Sequence, residues 1–254
     1  MSAAEEIRSV KDIVSPEEWQ LRVDLAATYR LVAMYGWDDM IFTHISVRIP
    51  GPEHHFLINP YGMLFEEITA SSLVKIDLEG NIVMDSPYFV NPAGFTIHSA
   101  IHSAREDAHC VLHLHTDDGV AVSAQKEGLM PLSQTAMLAR ANLAYHDYEG
   151  VALNLDERER LIADIGDKKL MMLRNHGTLS VGENCGMAFM GIYFLERACT
   201  AQVRALSGEP NMPSQAALET TKEQSESLFK PGVEKLAWPA LLRKLDRLDP
   251  SFRD

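Results

Sequence analysis

Val111-Leu112-His113-Leu114-His115-Thr116 alternates apolar and polar side chains with a period of two. A strand sends successive side chains to opposite faces, so Leu112 and Leu114 point into the core while His113 and His115 share the other face. Working outward, residues 92–105 read as a helix opened by Pro92, carrying His98 and His102 four apart and hence on one face. Downstream, residues 156–166 read as a short helix, 170–174 and 178–181 as strands, and 185–206 as a long helix, with 127–144 mixed. Upstream, Ser15-Pro16-Glu17-Glu18 starts a helix that runs to about Tyr35 and stops at Gly36. Residues 42–49 and 55–58 read as strands around Pro50-Gly51-Pro52, and 73–77 and 82–84 as a hairpin around Glu79-Gly80-Asn81. Strands and helices mixed in this way predict an α/β protein with a mixed sheet covered by helices. The expected organisation is a loosely held arm over 1–14, one domain over 15–207, and over 208–254 a linker (208–232) followed by a C-terminal helical extension bearing Trp238.

Composition narrows the functional classes. The 254 residues are 46% hydrophobic, enough for a sizeable core. A formal net charge of −13 repels phosphate backbones and anionic lipids, so neither nucleic acid nor a membrane surface is an expected partner. Cys110, Cys185 and Cys199 show neither a disulfide framework nor a CxxC pair. Residues 1–10 lack the basic and apolar regions of a secretory signal, and no run of 18 apolar residues occurs. The expectation is a cytoplasmic protein acting on a small molecule.

Among the ten histidines, His113 and His115 are the sharpest pair. Residues two apart on a strand are ~7 Å apart at Cα, so both imidazoles can converge on one ion. Arg174-Asn175-His176-Gly177 sits between two strands, where a side chain can reach over a sheet. Three histidines with open positions are the donor set of a catalytic divalent metal; zinc is expected, and Mn, Fe or Co suit the same nitrogens. His98-Ser99-Ala100-Ile101-His102 lacks the glutamate of HExxH, which excludes a zinc-protease motif.

The ordered stretches Thr43-His44-Ile45-Ser46-Val47-Arg48, Ile58-Asn59-Pro60-Tyr61-Gly62, Ala93 to His98, His113 to Thr116, Arg174 to Gly177 and Leu195-Glu196-Arg197-Ala198 together resemble the class II aldolase/adducin superfamily, over roughly residues 15–207. The resemblance implies a three-layer α/β/α fold around a largely antiparallel mixed sheet. It further implies a homotetramer with active sites between subunits, and metal ligands at His113, His115 and His176. It places His44, Asn59, Tyr61, Gly62 and Gly94 at the substrate.

Departures from the family pattern narrow the chemistry. The family's acid/base glutamate aligns with Gly94, and its phosphate-binding elements read Pro92-Ala93, Tyr61-Gly62 and Thr43-His44, which argues against a phosphosugar substrate. The family's proton-donating tyrosine, supplied by a neighbouring subunit, falls within residues 144–150, where Tyr145 and Tyr148 both qualify. His98, Asp117 and Asp118 are alternatives for the missing base, although Asp117-Asp118 also reads as a solvated turn. The expected activity is carbon–carbon lysis, by decarboxylation or retro-aldol cleavage, of a small non-phosphorylated hydroxy or oxo acid or an aromatic carboxylate. The alternatives are a non-catalytic adducin-like oligomerisation module and an Fe(II) oxygenase.

Overall fold

A computed structural model of the chain describes residues 8–151, 155–225 and 232–254, with the side chains of 92–95 and 233 left aside. Helix α1 (Pro16–Met34) begins as its sequence dictates: Ser15 Oγ accepts from Glu18 N at 3.1 Å, and Pro16 occupies the first turn where its missing N–H costs nothing. The strands are β1 (His44–Arg48), β2 (Phe56–Ile58), β3 (Val74–Ile76), β4 (Cys110–Leu114), β5 (Leu143–His146), β6 (Leu170–Leu173) and β7 (Gly177–Gly182). They form one sheet in the order β3-β2-β1-β4-β7-β6-β5. Every pairing is antiparallel except β5 with β6. The sheet is therefore mixed and largely antiparallel. The expected hairpin after β3 is reduced to a single bridge between Ile76 and Ile82.

Two cores flank the sheet and make three layers. Leu112, Leu114, Leu170 and Met172 pack on one face beneath α1 and helix α6 (Cys185–Ala205). Val111, Met171, Leu173 and Leu179 pack on the other, beneath helices α2 (Pro92–Ala104) and α5 (Glu157–Ile165), with Ile97, Ile101, Leu161 and Ile165 opposite them. Helix α3 (Asp117–Ser123) starts directly after the HxH strand, and α4 (Gln134–Arg140) precedes β5.

The expected linker contains a helix, α7 (Gln215–Ser225). Ser214 Oγ accepts from Ala217 N at 3.2 Å, and Ala216, Ala217, Leu218 and Glu219 are strong helix formers, which outweighs the loop-like Pro210 and Pro213 before them. The remainder of that stretch, 226–231, lies outside the described residues, as do residues 1–7 of the expected arm. Helix α8 (Val233–Leu248) returns to the main core, where Trp238 Nε1 donates to Asp24 Oδ1 at 3.2 Å and Phe252 is fully buried. No described helix is long and apolar enough to cross a membrane.

Candidate metal centre

The register of β1 on β4 places His44 directly opposite His113, so both rings leave the same face of the sheet. His115 follows the end of β4. His176 stands in the turn between β6 and β7, which Asn175 makes by adopting a left-handed φ of 56°, a conformation asparagine tolerates better than most residues. A candidate ligand nitrogen from each of His113, His115 and His176 lies within 4.8 Å of the others. Gly177 keeps the space open: a Cβ there would meet the Leu114 carbonyl at 2.2 Å, His115 Cδ2 at 3.2 Å and His113 Cε1 at 3.3 Å. Any larger residue would displace the strand end that carries His113 and His115.

Hydrogen bonds behind the rings set their chemical form. His113 Nδ1 donates to the Thr178 carbonyl at 2.9 Å, and His115 Nδ1 donates to Asp39 Oδ2 at 3.1 Å. A neutral ring that donates through Nδ1 turns a bare Nε2 lone pair forward. His115 Nε2 lies 2.9 Å from both His113 Nε2 and His176 Nε2. Lone pairs at that separation repel unless a cation lies among them. Burial, followed by the neighbouring histidines, holds His113 well below the ordinary imidazole range and His176 at about 4, so a proton is a poor cation here near neutral pH. A divalent metal suits three neutral nitrogens, and the donors to Thr178 and Asp39 are the outer contacts such ligands need.

Asp39 carries no sequence signal that sets it apart from other loop acids. It arrives through a bent loop in which Met40 and Thr43 take positive φ values of 50° and 65°. Asp39→Asn keeps the volume and weakens the acceptor. It is expected to lower zinc affinity about 10–100-fold, read by competition with a chelating dye; unchanged affinity would show that Asp39 does not tune His115.

The remaining candidates separate by face. His44 is buried with its ring 6.0 Å from His113 and 5.4 Å from His98. Tyr148 is 53% exposed and lies 6.4 Å, ring to ring, from His176 of its own chain. Tyr145 points to the opposite side of the sheet, where its hydroxyl accepts from Leu129 N at 3.0 Å and Arg174 covers its ring at 4.3 Å. Strand alternation explains the split, because Tyr145 shares the phase of Leu143 in β5.

Asn59, expected at the substrate, is committed to the core: its Oδ1 lies 2.9 Å from the Tyr29 hydroxyl, which also accepts from Ile45 N at 2.7 Å. Tyr61 packs on Phe89 at 6.0 Å, and Gly62 turns the loop there with φ 107°. Gly94 lies in the first turn of α2, and its surroundings are outside the described residues. Asp117 and Asp118 form the first turn of α3 rather than a free turn, and Asp118 Oδ2 accepts from Thr200 Oγ1 at 2.5 Å.

Beneath the triad lies a buried carboxyl. Glu196 of α6 accepts from Thr116 Oγ1 at 2.5 Å and from Thr178 Oγ1. Thr116 follows His115, and Thr178 supplies the carbonyl that orients His113, so one carboxyl holds both strand ends at the triad. Burial pushes Glu196 up to about 7.

Comparison with known proteins agrees with the fold. Residues 23–203 match the family described as Class II Aldolase and Adducin N-terminal domain. The chain belongs to the class II aldolase and adducin family. A Caulobacter vibrioides protein provisionally named as aldolase class 2 is 64% identical, over 97% of this chain and 96% of its own length. The crystal structure of an aldolase II superfamily protein from Pseudomonas syringae matches with a TM-score of 0.94 and 49% identity, covering 97% of this chain and all (100%) of that one. Alpha-adducin of Rattus norvegicus is 42% identical over 90% of this chain, which spans only 33% of the adducin. In this family member, then, the aldolase-type fold is accompanied by a converging histidine triad.

Proposed function

We propose that this class II aldolase-family protein is a metal-dependent carbon–carbon lyase acting on a small, non-phosphorylated hydroxy or oxo acid. The observation that carries the proposal is the triad: His113 and His115 have Nδ1 engaged behind them, and the bare Nε2 of His115 lies 2.9 Å from Nε2 of both His113 and His176. A divalent ion on those nitrogens, zinc in the first instance, supplies a Lewis acid for the oxygen on which negative charge develops as the carbon–carbon bond breaks. The residues of the chain do the rest. Gly177 leaves room for the rings to converge, and His44 lines the floor between the triad and α2. Tyr148 is the candidate to deliver a proton, and His98 the candidate to accept one in place of the carboxylate that Gly94 lacks. The proposed assembly is a cytoplasmic homotetramer with active sites between subunits, as the family resemblance implies.

The test is cleavage of a panel of hydroxy-oxo acids and aromatic carboxylates by the zinc-loaded protein, read by 13C NMR with oxygen excluded. Turnover that persists without oxygen and stops on chelation supports the lyase. Turnover that requires oxygen would make the protein an oxygenase instead, and binding of zinc with no cleavage of any panel member would favour an adducin-like module.

The two tyrosines make a sharper comparison within this reading. Tyr148→Phe is expected to lower kcat on the order of 100-fold, the usual contribution of a proton donor, with little change in thermal midpoint. Tyr145→Phe is expected to do the reverse, costing about 1 kcal/mol of stability through the lost Leu129 contact while leaving kcat within about twofold. Equal kcat losses in both variants would remove the assignment of Tyr148.

A further inference from the structure

Beside the triad, under α2, a chain of hydrogen bonds runs back from His98 through two buried residues, Ser46 and His102, to which the proposed function gives no role. His102 Nδ1 lies 2.7 Å from the Ala108 carbonyl, His102 Nε2 lies 2.7 Å from Ser46 Oγ, and Ser46 Oγ lies 2.6 Å from His98 Nδ1. His98, His102 and Ser46 are all at least 97% buried. Burial holds both histidines at about 3, so both rings are neutral at pH 7.

Proton counting then leaves one arrangement. A carbonyl only accepts, so His102 Nδ1 must carry the proton and donate it. His102 is neutral, so its Nε2 is a bare acceptor. The single hydroxyl proton of Ser46 must therefore go to His102. Ser46 Oγ, having given its proton, accepts from His98, so His98 Nδ1 carries a proton. His98 is neutral too, and its Nε2 is left bare. That Nε2 is buried and has no hydrogen-bond partner among the described residues, and the ring stands at right angles to His44, 5.4 Å away.

We propose that Ser46 and His102 are positioning residues that lock His98 as a hydrogen-bond acceptor, and that its Nε2 takes the hydroxyl of a hydroxyl-bearing substrate. This rests on the lyase reading and narrows its substrate class. A bare lone pair in a dry site attracts an O–H donor and repels a carboxylate or phosphate oxygen. Of the substrates in the proposed panel, a hydroxy acid meets this requirement, whereas an aromatic carboxylate without a hydroxyl leaves the nitrogen unpaired at a cost. The acceptor comes from α2, the same helix whose first turn has Gly94 in place of the family's glutamate.

The test reads the tautomer directly. In full-length, zinc-titrated protein with 15N-labelled histidine, long-range 1H–15N spectra distinguish Nδ1–H from Nε2–H rings, and His98→Gln assigns the His98 signal. The expected result is an Nδ1–H His98 at pH 7 in the wild type, lost or mixed in Ser46→Ala and restored in Ser46→Thr. Glycolate, but not acetate at equal concentration, is expected to shift the His98 Nε2 resonance. An Nε2–H ring in the wild type, which needs no variant to observe, overturns the proposal. So does an unchanged tautomer in Ser46→Ala, or an equal response to glycolate and acetate. The same spectra report zinc through the nitrogens of His113, His115 and His176, so failure of the metal reading and failure of the acceptor are seen separately.

Discussion

Replacing His113 and His115 together with alanine is expected to abolish zinc binding, while the wild type retains about one ion per chain after dialysis. The effect is large because the three nitrogens act as a set: with two removed, His176 alone holds a divalent ion no better than an ordinary surface histidine. At a free zinc concentration 100 times the dissociation constant, binding stabilises the folded wild type by about 2.7 kcal/mol. For a chain of this size that raises the thermal midpoint by about 5–10 °C. The comparison is made within each protein, with and without zinc. Alanine at the fully buried His113 also leaves a cavity, and that cost cancels when each variant is its own reference. Elemental analysis supplies the stoichiometry. A wild type that stays metal-free and shows no zinc-induced shift would remove the metal centre and the lyase with it.

The parts of this centre that were legible in the sequence are those set by local periodicity. The HxH strand was readable because a period of two assigns each side chain to a face, and His176 because a strand end places it. What was not legible depends on contacts distant in sequence or on strand phase. Asp39 reaches His115 across 76 residues through a loop with two left-handed residues, and no local pattern encodes that path. The Thr178 carbonyl orients His113 only because β7 pairs with β4 in one register, a fact about two strands rather than one. Tyr145 and Tyr148 are inseparable in the sequence, because the family's tyrosine falls within residues 144–150 without a motif that fixes one position. Once β5 spans Leu143–His146, alternation sends Tyr145 to the far core. Asn59 carries the family's pattern, yet its side chain meets Tyr29, thirty residues away on α1. The fold class needed less information, because short apolar strands alternate with helices opened by such caps as Ser15, Thr116, Ser133 and Asn184, and all point to the same layered arrangement.

Glu196→Gln is expected to change how stability depends on pH. The wild-type carboxyl is pushed from 4.5 up to about 7, first by burial, against the opposing effect of the two threonine hydroxyls. A group whose folded value lies above its unfolded value gives stability that is fully present below the unfolded value and is lost as pH rises through the folded one. The contribution of Glu196 is thus complete below about pH 4.5 and disappears as pH rises through about 7. A separation of this size corresponds to on the order of 3 kcal/mol. Glutamine keeps the shape, never ionises, and accepts from one threonine hydroxyl while donating to the other. Urea unfolding of both proteins from pH 4.5 to 8 should therefore show the variant gaining on the wild type by about that amount across the interval. A constant difference between the two would mean that the carboxyl titrates at its ordinary value. Because Thr116 and Thr178 also hold the strand ends at the histidine triad, the same variant reports on the proposed metal site. If Glu196 serves as a shape-matched clamp, zinc affinity should survive in Glu196→Gln and fall in Glu196→Ala, where both hydroxyls lose their partner. If its charge instead tunes the ligands, glutamine should weaken zinc binding as much as alanine does.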